Sequence, residues 1–508
     1  MFKVIADKLL PHSRLIAFLS GWLAVSALPP FNIFPALFIS FSLLLLLIDN
    51  SDSPARAFKH GYFFGFAYFA FGLSWIINAL LLEIAAFWWL IPIVFFVSGL
   101  FFGLFIALPA YLCRFFKTSL ARWLAFASLI TIFEWIRSFF LTGFPWNLFG
   151  TTLTFSNTLI QAASLGGVYL LSLSVVLACS TPFLWLRGYR LTAPIIFAVI
   201  TSALCGFGAY QINAHPYKSS ATTIRIVQPS IPQTLKWNPA VLQDNLDRHI
   251  KMSQLSGFEN IDFVVWSETA FPYALELDTY HRGQLQYAIP PHGNLITGAL
   301  RYEPTGTDNY NVYNSMFVLN HQNEITSFYD KTHLVPFGEY IPLRRYLPEW
   351  IKPVANTIGT FSVGSGAKVI KSDPAPSLGG LICYEVIFPH QILNPANKPN
   401  WIVNITNDGW YGNSAGPWQH LASARLRAIE EGITIVRAAG SGISALISPI
   451  GEIVAQIPLQ KSGIIDVKLP QQTDFSTIYG RYGNIIPLGI CLFLIVAALS
   501  CSRSFSDS

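Results

Sequence analysis

Three side chains of this 508-residue chain are of types that together perform nucleophilic catalysis: Glu268, Lys331 and Cys383. Cys383 lies in "GGLICYEVIFP" (379–389), where small and apolar residues lead into the thiol and Tyr384 and Glu385 follow at once. A thiol attacks as its thiolate, and an unperturbed cysteine has a pKa of about 8.5. It therefore needs a base to take the proton and a positive charge to favour the anion. Glu268 follows the apolar run of "VVWSETAFP" (264–272), at a predicted strand end where a carboxylate suits acid or base work. Lys331 stands in "FYDKTHLVPFGEY" (328–340), a polar knot after another predicted strand. Singly, each has a plainer reading: a core cysteine, a solvated turn carboxylate, a surface lysine.

The elements that must position these groups fall in residues 211–483. Short β-rich runs occur at 222–230, 261–268, 294–300, 313–320, 379–385, 401–408, 433–440 and 443–458. Helical patterns lie between some of them, at 238–255 and at 416–432, the second opening with Pro417 and stopping at Gly432. Apolar strands alternating with helices predict a layered α/β domain with buried sheets.

The rest of the chain is unlike this. Overall, hydrophobic residues make up 52%, aromatics 15% and charged residues 12%, against roughly 25% charged in an ordinary globular chain. Mean hydropathy is +0.46. A net charge of +5 over this length gives no reason to expect a nucleic-acid partner. A bilayer core of roughly 30 Å needs about 20 apolar helical residues. Spans are predicted near 13–29, 32–49, 59–82, 86–112, 120–141, 159–186 and 191–210, with one more near 484–500. This divides the chain into a seven-span membrane domain (1–210), an α/β domain (211–483), and a last span with a short tail (484–508).

Lys and Arg cluster in alternate links: Lys3, Lys8 and Arg14; Arg56 and Lys59; Arg114, Lys117 and Arg122; Arg187 and Arg190; Arg503. By the positive-inside rule both termini are cytoplasmic and residues 211–483 lie outside. Of six cysteines, Cys113, Cys179, Cys205 and Cys491 fall in or at the ends of predicted spans, and Cys501 in the tail. Cys383 is then alone in an oxidising compartment, so it is an inert core residue or a free reactive thiol.

Taken together, a Glu after a strand, a Lys in "DKTHLVPFGE" and a Cys in "GGLICYE" resemble the nitrilase superfamily, as do the later "NDGWYG" (407–412) and "RAIEEGITIVRAAGSG" (427–442). Such a domain set between seven N-terminal spans and one C-terminal span resembles the apolipoprotein N-acyltransferases of Gram-negative bacteria. The resemblance implies an α-β-β-α sandwich with a Glu268–Lys331–Cys383 triad. It implies transfer of a fatty acyl chain from a membrane phospholipid to the α-amino group of an S-diacylglyceryl cysteine on a lipoprotein, through a Cys383 thioester. Glu268 is expected to move the proton. Lys331 and the backbone N–H of Tyr384 are expected to hold the oxyanion, with Glu339 and Glu385 as supports of unseparated role. Trp237, Trp410 and Tyr411 are expected to guard substrate access. The chain is expected to be a monomer in the inner membrane, with its α/β domain in the periplasm and no cofactor or metal.

Rival readings use other features. A membrane-tethered nitrilase-type amidase would share every one of these residues, but a mere anchor needs one span. A transporter would use ionisable residues inside spans, for which Glu134 and Arg137 are the candidates. "GNSAG" (412–416) matches a serine-nucleophile elbow, but nothing acidic lies between it and the last histidine, His420. Aromatic segments at 142–150, 235–240 and 344–361 are expected to meet the membrane surface, with Arg344, Arg345 and Lys352 near head groups.

Overall fold

The computed structural model describes residues 12–82, 84–306, 309–346, 348, 353, 360–372, 375–471 and 476–503. Most of the segment 344–361, Lys352 included, lies outside them. The chain divides into two compact units, one of Met1–Ile77, Ile84–His215 and Ser476–Ser508, the other of Asn78–Glu83 and Pro216–Phe475.

The first unit is helical. Among the described residues five helices are long and apolar enough to cross a membrane: Leu90–Cys113, Ser119–Arg137, Leu159–Leu186, Thr192–Ala214 and Ile485–Ser502. The pair Pro54–Gly72 and Ser74–Leu81, bent by 40°, makes a sixth if it crosses as one. The first two predicted spans are shorter helices, Ser13–Val25 and Ala36–Asp49, of 13 and 14 residues. At 1.5 Å per residue each reaches only about 20 Å. Chain turns at 26–35, around Pro29, Pro30 and Pro35, take up the remaining apolar residues.

Glu134 and Arg137 are buried in this unit and spent on backbone. Glu134 Oε1 accepts from Phe149 N at 2.7 Å, and Arg137 Nη1 donates to the carbonyls of Phe144 at 2.6 Å and Trp146 at 2.7 Å. They tie down the irregular stretch 144–149, whose Trp146 and Phe149 are buried. The 142–150 segment, expected at the membrane surface, thus packs its largest side chains inward.

The second unit is a sandwich of two six-stranded sheets. Its strands are β1 (Ser219–Gln228), β2 (Phe263–Val265), β3 (Asn294–Pro304), β4 (Tyr310–Leu319), β5 (Ile325–Asp330), β6 (Val369–Ser372), β7 (Ala375–Ile382), β8 (Trp401–Thr406), β9 (Thr434–Ala439), β10 (Ser444–Ile447), β11 (Ile453–Ile457) and β12 (Gly463–Pro470). One sheet runs β12-β1-β2-β3-β4-β5 and the other β11-β10-β9-β8-β7-β6. β1, β2 and β3 are parallel, as are β7, β8 and β9, and the flanking pairs are antiparallel.

Strand alternation builds the layers. Ile224, Ile226, Phe263, Val265 and Ile296 from one sheet meet Leu378, Ile382, Trp401, Val403, Val436 and Leu446 from the other in a common core. The residues between them, Val227, Val264, Trp266 and Leu295, face the opposite way and pack with Leu246 and Ile250 of the helix Leu242–Ser253. The helix Gly416–Glu431 ends on Gly432 with φ 59 and ψ 46, the left-handed conformation that glycine adopts at least cost. This is the expected nitrilase-like α-β-β-α arrangement.

Candidate active site

All three expected site residues stand just past strand ends. Glu268 comes three residues after β2, where Ser267 O still accepts from Gly298 N of β3 at 3.2 Å. The close approach requires a glycine there: a Cβ at Gly298 would lie 2.4 Å from Thr269 N and 2.7 Å from Glu268 Cα. Lys331 follows β5, and its N–H donates to Asn314 O on β4 at 2.9 Å. Cys383 directly follows β7 with φ +52, a left-handed conformation that costs a non-glycine residue about 1 kcal/mol or more. Such strain persists only where the surroundings hold it.

The structure brings Glu268, Lys331 and Glu339 together. Lys331 is 1% exposed. Its Nζ lies 2.8 Å from Glu339 Oε1 and 3.6 Å from Glu268 Oε1. Asn314 Nδ2 donates to Glu268 Oε1 at 2.7 Å and to Glu339 Oε1 at 3.2 Å, and so spaces the two carboxylates. Glu339 Oε2 accepts from Val335 N at 2.8 Å. Burial alone would lower the Lys331 pKa, but Glu339 and Glu268 reverse this and hold it well above its ordinary value. Lys331 is thus a permanent cation.

Cys383 behaves oppositely. Burial pushes its thiol up to about 12, the Glu268 carboxylate adds to the rise, and Lys331 only partly offsets it. The resting group is a thiol beside a carboxylate, not a preformed thiolate. Thr406 and Tyr411 hydrogen-bond the sulfur with their side chains.

Glu339 and Glu385, left together by the sequence, separate cleanly. Glu385 Oε1 accepts from Tyr329 OH at 2.9 Å, Thr332 N at 2.6 Å, Thr332 Oγ1 at 2.8 Å and His333 N at 3.2 Å, while Oε2 accepts from Ile382 N at 2.7 Å. It ties the start of the loop after β5 to the turn that carries Cys383. Glu339 binds the lysine itself.

Tyr384 is buried, its ring edge-on to Phe388 at 5.1 Å. Tyr411 donates contact to the sulfur, and its carbonyl accepts from Asn78 Nδ2 at 2.8 Å. Trp410 is its half-buried neighbour on the turn Asp408–Tyr411, and Trp237 ends the turn Gln233–Lys236.

Sequence reasoning missed three groups. His420 Nε2 meets Cys383 O at 3.1 Å, while its Nδ1 lies 2.9 Å from Asp408 Oδ1 and 3.0 Å from Arg437 Nη2. Arg437 Nη2 also donates to Asp408 Oδ2 at 2.7 Å. Burial, then Arg437, lowers the His420 pKa, with Asp408 opposing the fall, and the Nε2–H donates to Cys383 O. Ser414 of the "GNSAG" match only links Tyr411 O and Gly416 N, at 2.7 and 3.1 Å. Asn314 and Lys236 are the other two. No local pattern marks any of them, since each meets a partner far away in the sequence.

Comparison with known proteins agrees with this architecture. Residues 20–181 match the apolipoprotein N-acyltransferase N-terminal domain and residues 223–477 the carbon-nitrogen hydrolase domain. The apolipoprotein N-acyltransferase of Rhodopseudomonas palustris is 36% identical over 502 residues, covering 95% of this chain and 93% of its own. The chain belongs to the apolipoprotein N-acyltransferase family. Its similarity to the Bradyrhizobium diazoefficiens apolipoprotein N-acyltransferase is 37% over 506 residues, covering 95% of this chain and 93% of that one. With the Rickettsia typhi apolipoprotein N-acyltransferase it is 34% over 498 residues, covering 97% and 99%. A solved amidase of the nitrilase superfamily from Nesterenkonia matches with a TM-score of 0.38 and 18% identity, over 53% of this chain and 96% of the amidase.

Proposed function

We propose that this apolipoprotein N-acyltransferase family member moves an acyl chain from a membrane phospholipid to the α-amino group of an S-diacylglyceryl cysteine at a lipoprotein N-terminus. The observation that carries this reading is the extent of the family match. It runs through the apolar helices as well as the nitrilase-type domain, which a tethered hydrolase has no need of.

The Glu268, Lys331 and Cys383 side chains would divide the work. Glu268 takes the Cys383 proton as sulfur bonds to the ester carbonyl carbon. The oxyanion so formed is held by the Lys331 ammonium and the Tyr384 N–H. Collapse breaks the carbon–oxygen bond to the glycerol oxygen, and Glu268 returns the proton to it as lysophospholipid leaves. The lipoprotein amine then attacks the thioester carbon and Glu268 accepts its proton; collapse breaks the carbon–sulfur bond, leaving the amide, and Glu268 returns the proton to the sulfur, restoring the thiol. Amines attack thioesters more readily than water does, which suits a transferase. Glu339 fixes Lys331, and Glu385 fixes the turn. Trp237, Trp410 and Tyr411 line the approach of the two lipid-anchored substrates.

The alternation of basic links supports a bacterial inner-membrane protein whose sandwich faces the periplasm. The test is release of lysophospholipid by the detergent-solubilised chain, with and without a diacylglyceryl-cysteine peptide. Stoichiometric release alone and continuous release with peptide support the transferase. Continuous release without peptide assigns a hydrolase.

A further inference from the structure

Lys236 is a second lysine at this centre, outside every role given above. It ends the short turn Gln233–Lys236, and two bonds pin that turn: Asn407 Nδ2 donates to Gln233 Oε1 at 3.0 Å, and Asn245 Nδ2 to Leu235 O at 3.1 Å. Lys236 Nζ donates to the backbone carbonyl of Glu268 at 2.8 Å. It lines a small cavity with Ser267 and Thr269, the two neighbours of Glu268, and with His249 and Asn407.

The charges around the thiol leave room for such a cation. Glu268 and Glu339 carry two negative charges against the one positive charge of Lys331. Asp408 is matched by Arg437. Burial, then Arg437, disfavours a charge on His420, and His249 is neutral: its Nδ1–H donates to Asn245 O at 2.8 Å and burial lowers its pKa to about 4. Tyr411 stays protonated, its burial raising it well above its ordinary value. Proton transfer from Cys383 to Glu268 moves the excess charge onto sulfur or the oxyanion without removing it, so one negative charge stays uncompensated in a buried site, which is costly.

We propose that Lys236 is a positioning residue of this centre: it holds Glu268 by the backbone carbonyl and supplies the second positive charge against which the Cys383 anion forms. This rests on the reading of Cys383 as the nucleophile. Its role is tunable, because burial brings the Lys236 ammonium down to about 8, with Glu268 and Cys383 opposing the fall.

The test is alkylation of Cys383 by the neutral reagent iodoacetamide in the full-length folded chain, which reads the thiol whether or not acyl transfer occurs. At fixed pH near neutrality, K236M is expected to react about tenfold more slowly than wild type, the effect of a unit charge on a partly buried neighbour. K236R is expected to restore the rate. Equal rates in K236M and wild type, or equal slowing in K236M and K236R, overturn the proposal. Should K236M fail to fold, K236R decides alone. It keeps its charge above about pH 8, where Lys236 loses its own, so it must alkylate faster than wild type near pH 9. Superposable profiles there overturn the proposal.

Discussion

His420 and Cys383 are joined through the backbone: the imidazole Nε2 reaches the carbonyl oxygen of the cysteine at 3.1 Å, 37 residues away in sequence. The cysteine it holds has a positive φ, and the imidazole is in turn held by Asp408 and Arg437. The turn that aims the thiol is thus braced from outside by His420 as well as by its own Glu385.

Removing the brace should cost rate more than fold. H420A is expected to lose about 2 kcal/mol of stability, the usual cost of stranding buried polar partners. It should also slow thioester formation at least about tenfold, since a misaimed nucleophile forfeits orientation. Single-turnover acylation beside a thermal melt separates the two effects. An unchanged acylation rate would leave His420 a packing residue.

The two supporting carboxylates should fail differently. E339Q removes the charge that faces Lys331 while keeping the shape. It should lower stability by about 1–2 kcal/mol, since the amide faces at least one of three donors, and depress transfer by about tenfold or more. E385Q puts an N–H₂ group where five donors now converge, and should lower stability by about 2–3 kcal/mol. Melting curves and turnover on both variants check this, and the reverse pattern would exchange their roles.

Gly298 should tolerate no side chain. Its absent Cβ is where the backbone of Glu268 and Thr269 sits, so G298A must displace Glu268 or open the sheet. Overpacking of this kind costs about 1–3 kcal/mol. G298A is expected to lose most activity even where it remains folded, as read by transfer rate in a melt-verified sample.

The thiol itself makes a pH prediction. Burial and then Glu268 disfavour the charged thiolate, so its pKa lies above the ordinary value, at about 12, and the neutral thiol dominates near pH 7. Alkylation of wild-type Cys383 should keep rising through about pH 9–10, where an ordinary thiol of pKa about 8.5 levels off. A plateau below about pH 8 would mean a preformed thiolate.

Much of this centre was legible because Glu268 and Cys383 each follow an apolar run, and sheets present such ends together. "VVWSE" and "GGLICYE" announce both the strand and the group it carries. The helix at 416–432 was legible from Pro417 and Gly432. What escaped depends on pairing across long distances. β5 and β12 are edge strands with exposed and half-buried residues mixed along them, so neither shows a continuous apolar run, and β12 pairs with β1 near the other end of the domain. The apolar stretch 443–458 read as one strand is two, β10 and β11, folded back at Gly451, which has φ +71. Glu339 and Glu385 could not be told apart because their partners are fixed only when β4, β5 and β7 meet. The first two helices are shorter than the predicted runs because apolar residues count equally in a helix and in the turns around Pro29 and Pro35.

Acyl transfer in two halves requires that Cys383 carry the acyl chain. Intact-protein mass spectrometry of the purified full-length chain, incubated with phospholipid and no acceptor, tests it directly. One added acyl group is expected, released by hydroxylamine, mapped to Cys383, absent in C383S, and discharged by a diacylglyceryl-cysteine peptide. An unmodified Cys383 under conditions where the acyl chain still reaches the peptide would contradict it.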